Sequence, residues 1–595
     1  MRVNRQKRIF YGWLTLAVLM VLLVCRLAWV QFVMKNHKPP GSRHTLLETS
    51  MLQRERGIVL DTGRGHFTDR NGLPLTGKLI WSAVLFPIEN ENDDISDDSL
   101  LKLAHILNTE DKHLREVWFA LKEPILWHAQ GTYIPLALNS SQIEAIKELK
   151  LSAIRVLPYE QRYGDRETGM QWLGFISGQR KENLFFRDYE GVKGTSGLER
   201  TLDALLQGTG PTVVYFPVDG RNQVIQEMKP MVKAGDNPYY PLRITTTVDA
   251  KLQKGIEQLT EQAGMKEGAV VVLDVRNSDV LAMVSRPFYN PEQIHPEQGE
   301  WENKALKGAV PGSIFKIVTA AAALDSGLTS SKETFHCNGE FGKYGLSCWK
   351  EGGHGTLNLR QGFAESCNVV FAELAERLTS GQIQDTALQL GLGRTVGWQA
   401  QRSVLGIPLL KPLDHEESGT VFAASTDPLD SGARVQTAIG QRDTLVTPLQ
   451  AANLVVTLLN DGDVISPRIV HHISYANGQH LQTLEPMKRS SVEGTISRET
   501  ARTLLTWMED VVRNGTGRSL KHSSWQLGGK SGTAETIVKG RPRNNQWFVG
   551  YGPIKHPRYA VAVLVENVSP HSKHQATKLF GQVMDLLSSF ETSEE

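Results

Sequence analysis

Three short groups of residues in this chain place a hydroxyl close to a lysine or an amide. The first is Ser313-Ile-Phe-Lys316. Pro311 and Gly312 break the chain before the serine, and the Ala-rich run at 317–324 has strong helix propensity. The spacing predicts a serine at the start of a helix with the lysine one turn on, so that hydroxyl and amine share a face. The positive end of the helix dipole favours an alkoxide over an ammonium there. Both effects suit a nucleophile–base pair. The second group is Ser366-Cys367-Asn368, whose hydroxyl and amide can reach into a cleft from a loop between helices. The third is Lys530-Ser531-Gly532-Thr533 on a predicted strand, where alternation puts Lys530 and Gly532 on one face. Lys530 is expected to present a fixed cation, and Gly532 to let a substrate lie against the strand. Thr533 offers a hydroxyl and a backbone N–H. Gly529-Lys530-Ser531 also resembles the end of a phosphate-binding loop. Ser524 stands where that motif needs its first glycine, and the segment reads as a strand interior, so a nucleotide site is rejected.

The elements that must position these residues begin near residue 241. A strand at 242–249 ends at a cap, and a helix follows at 251–262. Two strands, 268–274 and 280–285, form a hairpin around Asn277-Ser278-Asp279. A long helical section holds Ser313 and the segment 357–378. Strands return at 527–536, 546–551 and 559–565, and an amphipathic helix covers 575–590. Strands at both ends of a helical middle predict one mixed domain, 241–595. Its sheet is expected to be mostly antiparallel, flanked by helices and closed by the last one. The whole chain therefore reads as α+β and multidomain, as 595 residues require.

Ahead of this domain, 35–240 reads as an elongated mixed α/β domain, with a polar linker at 35–43 and a turn at Asn71-Gly72. Gly191-Val-Lys-Gly-Thr-Ser-Gly-Leu-Glu-Arg200 is a Gly-rich loop running into a helix. Arg2, Arg5, Lys7 and Arg8 precede an apolar run at 9–34, long enough for a spanning helix of ~20 residues. Basic residues before the span predict that 1–8 is a cytoplasmic tail and that everything after 34 lies outside. No small-x-small site follows, so the run reads as an uncleaved single-pass anchor. Arg26 within it either snorkels to the interface or meets a partner helix. A net charge of +1 gives no basis for nucleic-acid binding. The cysteines are Cys25, Cys337, Cys348 and Cys367. A location outside the cytoplasm permits a disulfide between Cys337 and Cys348, and two free thiols are the alternative. A zinc site is not expected, because the other ligands lack metal-site spacing.

Taken together and in this order, the three groups match the Ser-x-x-Lys, Ser-x-Asn and Lys-Ser/Thr-Gly set of penicillin-binding proteins and serine β-lactamases. Over nearly its whole length the chain resembles a class B penicillin-binding protein. Arg64-Gly-His-Phe-Thr-Asp-Arg-Asn-Gly72 is similar to the family's N-terminal motif. Leu173-Gly-Phe175 and Gly197-Leu-Glu199 are similar to its pedestal motifs. Gly353-His-Gly-Thr-Leu357, Gly440-Gln441, Thr447-Pro-Leu-Gln450 and Lys530-Ser-Gly-Thr-Ala-Glu535 are similar to its transpeptidase motifs. Arg442 stands where the family usually has a second glycine after Gln441, which leaves the shape of that loop open. No segment resembles a glycosyltransferase.

The resemblance implies a membrane-anchored D,D-transpeptidase of cell-wall synthesis. Its substrates would be peptidoglycan stem peptides ending in D-Ala-D-Ala, and β-lactams would inhibit it. Ser313 would be the nucleophile, Lys316 its base, and Ser366 a proton relay. Asn368 would hold Lys316 and the substrate amide. Lys530, Ser531 and Thr533 would bind the terminal carboxylate, and the backbone N–H groups of Ser313 and Thr533 would form the oxyanion hole. No metal or organic cofactor is implied, and other membrane proteins such as a glycosyltransferase are the implied partners. A D,D-carboxypeptidase, a β-lactam sensor or a β-lactamase would share the fold. A non-catalytic scaffold of a cell-wall complex would keep the motifs without using them.

Overall fold

The structure, a computed structural model, describes residues 2–29, 55–88, 95–128, 134–151, 153–164, 168–177, 191–217, 231–235, 237–489 and 491–594. The N-terminal helix Arg2–Ala28 contains a stretch, Lys7–Ala28, long and apolar enough to cross a membrane. Its side chains from residue 7 onward are all exposed, as a lipid-facing surface would be. Residues 30–34 of the expected span lie outside the described residues.

The following domain contains two small antiparallel sheets. Glu55–Asp61 pairs with Thr212–Pro217, which pairs with Met231–Lys233. Lys78–Leu85 pairs with Ile125–Leu126 on one side and Ile154–Gln161 on the other. Helices Asp97–Ile106, Asp111–Phe119 and Ser140–Glu148 pack on this second sheet through Leu103, Leu114, Trp118 and Ile146. The Asn71-Gly72 turn is closed by Asp69, whose carboxylate accepts from the N–H groups of Asn71 and Leu73 at 2.8 Å each.

Below it, residues from two distant motifs meet in one buried ion-pair cluster. Arg64 Nε donates to Glu199 Oε2 at 2.7 Å, and Arg162 Nε donates to Glu199 Oε1 at 2.8 Å. Tyr163 Oη donates to the same oxygen at 3.1 Å, and Arg64 also pairs with Asp203 at 2.7 Å. Glu199 is fully buried, so two guanidinium groups depend on it for their charge balance. Several links carry this base into the C-terminal domain, two of them near the ion-pair cluster. The strand His66–Thr68 runs parallel to Arg243–Thr246. Asp414 accepts from Gly197 N at 3.0 Å and pairs with Arg200.

The C-terminal domain is built on a five-stranded sheet of β1 (Gly268–Asp274), β2 (Val280–Arg286), β5 (Gly528–Val538), β6 (Arg541–Gly552) and β7 (Tyr559–Val568), in the order β2-β1-β7-β6-β5. Every neighbouring pair is antiparallel. A hairpin of β3 (Thr334–Cys337) and β4 (Gly355–Asn358) stands apart from it. All seven residues of β1 are buried, because the sheet is covered on both faces. Val270 and Val272 face α1 (Ala250–Gln262) and α6 (Gln575–Glu594), in a core with Ile256, Phe580 and Val583. Ala269, Val271 and Leu273 share the other core with α2 (Lys316–Asp325), α3 (Asn368–Arg377), α4 (Pro448–Leu459) and α5 (Arg498–Arg513). The predicted hairpin and closing helix are both present. Ser278 turns the hairpin with φ of 58°.

Replacing Glu199 with alanine would leave two buried guanidinium groups without their shared carboxylate. The expected loss is ~3–5 kcal/mol of stability, read as a lower midpoint in denaturant unfolding of the pedestal. An unchanged midpoint would contradict the role given to this cluster.

Candidate active site

Ser313 lies in a tight 3₁₀ turn, Gly312–Phe315, that runs directly into α2. Residues three apart eclipse in such a turn, which puts Ser313 and Lys316 on one side, as the spacing predicts. Three contacts hold the turn, two to the sheet edge and one to the loop at Gly440. Trp547 Nε1 on β6 donates to Val310 O at 2.8 Å, and Gly312 N donates to Gly440 O at 2.8 Å. The third is the bare backbone of Gly532 on β5. A Cβ there would sit 2.7 Å from Pro311 O and 2.9 Å from Ile314 Cγ2. Gly532 therefore admits the nucleophile's turn to the strand, and it also lines the cleft beside Ser313. In the same loop as Gly440, Arg442 adopts a left-handed φ of 63° and pairs with Asp443 at 3.2 Å. It thus takes up a conformation that glycine adopts at less cost.

Lys316 is fully buried, and its ammonium donates to Asn368 Oδ1 at 2.7 Å and to Ser366 O at 2.8 Å. Ser366 Oγ is farther, at 3.4 Å. None of these bonds goes to Ser313. Burial lowers the Lys316 pKa to about 8. Lys530 is also fully buried, and here the structure departs from expectation. Its Nζ donates to Ser366 Oγ at 2.9 Å and to Ser531 O at 3.0 Å, so it does not present an open cation to a ligand. Burial and then the Lys316 charge hold its pKa well below the ordinary lysine value. The Ser366 hydroxyl thus lies between two amines. It is put there by a left-handed backbone, φ 54°, closing the helix Leu359–Ala364 at a position where glycine is usual. Asn368 spends one amide hydrogen on Ser347 O at 3.0 Å.

A cleft of about 430 Å³ opens beside these groups, lined by Ser313, Ser366, Asn368, Thr516, Ser531, Thr533 and His574 among others. Thr533 O accepts from Gln441 Nε2 at 3.5 Å on the side away from β6. In an antiparallel strand the N–H and C=O of one residue point the same way, so the Thr533 N–H also faces this free edge. Thr516 and His574 carry no motif in the sequence. The Thr516 hydroxyl hydrogen-bonds that of Ser531 at 2.6 Å. His574 Nδ1 accepts from Thr577 N at 3.3 Å, which leaves Nε2 to donate to Gly532 O at 3.1 Å. Burial lowers its pKa, in keeping with a neutral ring. Only the order of the chain around the β5 edge brings these two residues to the site.

Of the two readings left open for Cys337 and Cys348, the structure has the free thiols, and Cys25 and Cys367 are free as well. Cys337, Cys348, His354 and Cys367 gather their ligand atoms within 4.8 Å of one another and could hold a metal ion. Their spacing along the chain argued against this. The β3–β4 hairpin removes the objection, because Cys337 is in register with Gly355, beside His354.

Residues 268–585 match the penicillin binding protein transpeptidase domain, and residues 60–240 match the penicillin-binding protein dimerisation domain. Stage V sporulation protein D of Bacillus subtilis is 28% identical over 581 residues, which cover 95% of this chain and 82% of that protein. Peptidoglycan D,D-transpeptidase MrdA of Acinetobacter baumannii is 24% identical over 612 residues, covering 95% and 86%. Among solved structures, PBP2 of Helicobacter pylori aligns with a TM-score of 0.60 at 21% identity, over 90% of this chain and 99% of that one. A chain of a peptidoglycan synthase complex aligns with a TM-score of 0.65, also at 21% identity, over 98% of each. The match of the catalytic-type domain covers more than half of the sequence, and the dimerisation domain precedes it: the chain belongs to the class B penicillin-binding proteins.

Proposed function

We propose that the chain is a peptidoglycan D,D-transpeptidase that works through an acyl-enzyme on Ser313. The observation that carries this is the Ser366 hydroxyl, hydrogen-bonded to Lys530 and within 3.4 Å of Lys316, in the cleft that Ser313 also lines. A stem peptide ending in D-Ala-D-Ala would lie along the free edge of β5, adding main-chain hydrogen bonds there. Ser313 Oγ attacks the penultimate carbonyl while neutral Lys316 takes its proton. The N–H groups of Ser313 and Thr533 receive the oxyanion. As the tetrahedral species collapses, the C–N bond breaks, and a proton passes through Ser366 to the departing D-Ala. An amine of a neighbouring stem then attacks the ester, its proton returns by the same route, and Ser313 is released. The hydroxyls of Ser531, Thr533 and Thr516 are the carboxylate-binding groups. Lys530 acts from behind them as the partner of Ser366.

The N-terminal helix and the basic residues ahead of it support a single-pass bacterial membrane protein with residues 1–8 in the cytoplasm, an anchor at 9–34, a pedestal at 35–240 and a transpeptidase domain at 241–595. The likeness to a chain of a complex that coordinates polymerisation and cross-linking supports a membrane glycosyltransferase as partner.

Fluorescent penicillin should label the wild type at one site per chain, and Ser313→Ala should abolish labelling. Stoichiometric labelling of the variant would remove Ser313 from its role. On pentapeptide-bearing strands, cross-linked dimers are expected. Release of D-Ala without dimers would make the enzyme a carboxypeptidase, and fast turnover of a chromogenic β-lactam would make it a β-lactamase.

Only the neutral Lys316 amine can accept the serine proton, and its fraction grows as pH rises toward its pKa of about 8. The second-order acylation rate should therefore climb by up to ~10-fold per pH unit well below that value and level off above it. A rate flat from ~pH 6 upward would contradict Lys316 as base.

A further inference from the structure

The Ser313 cleft has walls that the donor peptide does not use. Ser531, Thr533 and Thr516 serve the donor carboxylate, whereas Trp349 and Glu365 line the same cleft without a role. A second groove, of about 600 Å³, adjoins it and is lined by Lys350, Arg360, Glu365, Asp510, Arg513 and Asn514 among others. Glu365 lines both cavities. The chain also crosses from one to the other twice, at Trp349–Lys350 and at Asn514–Gly515. The seam between them is tight. Thr516 N donates to Ala364 O at 3.2 Å, and a Cβ on Gly515 would meet that oxygen at 2.1 Å. Trp349 is mostly exposed, and its Nε1 donates to Glu365 O at 3.0 Å, which fixes the indole beside this passage.

The charges along this passage are ordered. Asp510 is nearly buried and pairs with Arg360 and, at 3.5 Å, with Arg513. Two further charges are unspent. The Glu365 carboxylate and the Lys350 ammonium have no ion-pair or hydrogen-bond partner among the described residues. The free anion therefore stands where groove and cleft meet, next in sequence to Ser366, while the cations Lys350, Arg360 and Arg513 line the groove alone. An acceptor stem peptide has the complementary polarity. Its amine must reach the ester on Ser313, and its terminal carboxylate trails away from that point. Complementary charge of this kind sets orientation and rejects ligands that lack it.

We propose that this groove binds the acceptor stem peptide, with Glu365 receiving its ammonium at the mouth of the cleft and Lys350 and Arg513 receiving its carboxylate. The inference deepens the transpeptidase reading and rests on it. The acceptor arrives as an ammonium and gives one proton to solvent. The amine lone pair then forms the C–N bond as the ester C–O bond breaks. One of the two remaining protons on nitrogen passes through Ser366 to Ser313 Oγ, and the other stays on the new amide. Water carries no charge for Glu365 or Lys350 to hold, so the groove favours cross-linking over hydrolysis of the same ester.

The full-length chain in detergent, given pentapeptide-bearing strands, should yield cross-linked dimers and some hydrolysed monomer. The ratio of the two reports acceptor capture per acyl-enzyme, whatever fraction of a variant is folded. Glu365→Gln and Lys350→Glu should each lower that ratio by about 10-fold. A second measurement needs no turnover. A fluorescent stem tripeptide with a free side-chain amine lacks D-Ala-D-Ala and cannot be a donor. Acetylating its amine should weaken binding to the wild type by about 10-fold and have no further effect on Glu365→Gln. Equal product ratios in the wild type and both variants would overturn the proposal, as would equal affinity of the wild type for the free and acetylated peptides. If penicillin labels nothing but the tripeptide binds with this preference, the Ser313 reading fails and the groove stands.

Discussion

One hydroxyl between two buried amines is the interaction on which this active site depends. Lys316 and Lys530 are both removed from water, and the Lys316 charge adds to the cost of charge on Lys530. Each amine therefore gives up its proton more readily than an exposed lysine would. Ser366 can accept from one amine while donating to the other, which makes the three groups a short proton path. Neither lysine needs a carboxylate partner to survive burial, because giving up a proton is the less costly way out.

Holding those three groups together takes three separate elements. Lys316 comes from the first turn of α2, Lys530 from β5 and Ser366 from the turn between two helices. The sheet, buried on both faces, gives β5 a rigid frame, and α2 is buried along nearly its whole length. The left-handed Ser366 costs about 1–2 kcal/mol by itself, so its surroundings must over-determine it. Helix 359–364 holds it from one side, through Cys367 N to Gly362 O at 2.8 Å. The Asn368 bond to Ser347 O at 3.0 Å holds it from the other.

What was legible in the sequence was local. The Ser313 turn, the β1–β2 hairpin and the closing helix each follow from breakers, propensity and periodicity within a few residues. The family resemblance joined the three motifs before any contact between them was visible. What was not legible was set by tertiary contact. Alternation placed Lys530 on a face but could not say that the face was sealed, so it read as an open cation. Gly532 read as space for substrate, and the close approach of Pro311 and Ile314 to it was not visible. Thr516 and His574 reach the cleft only because α5 and α6 end beside the β5 edge. The cysteines were judged by spacing alone, and a hairpin can bring distant ligands together at any spacing. A pairing of 334–337 with 355–358 would have placed His354 beside Cys337.

The central claim is that the acyl group forms on Ser313, with Ser366 serving it from the side. Mass spectrometric mapping of the protein after reaction with penicillin tests this most directly. The account predicts one penicilloyl adduct, on the peptide carrying Ser313. An adduct on Ser366, or on any residue other than Ser313, would contradict it.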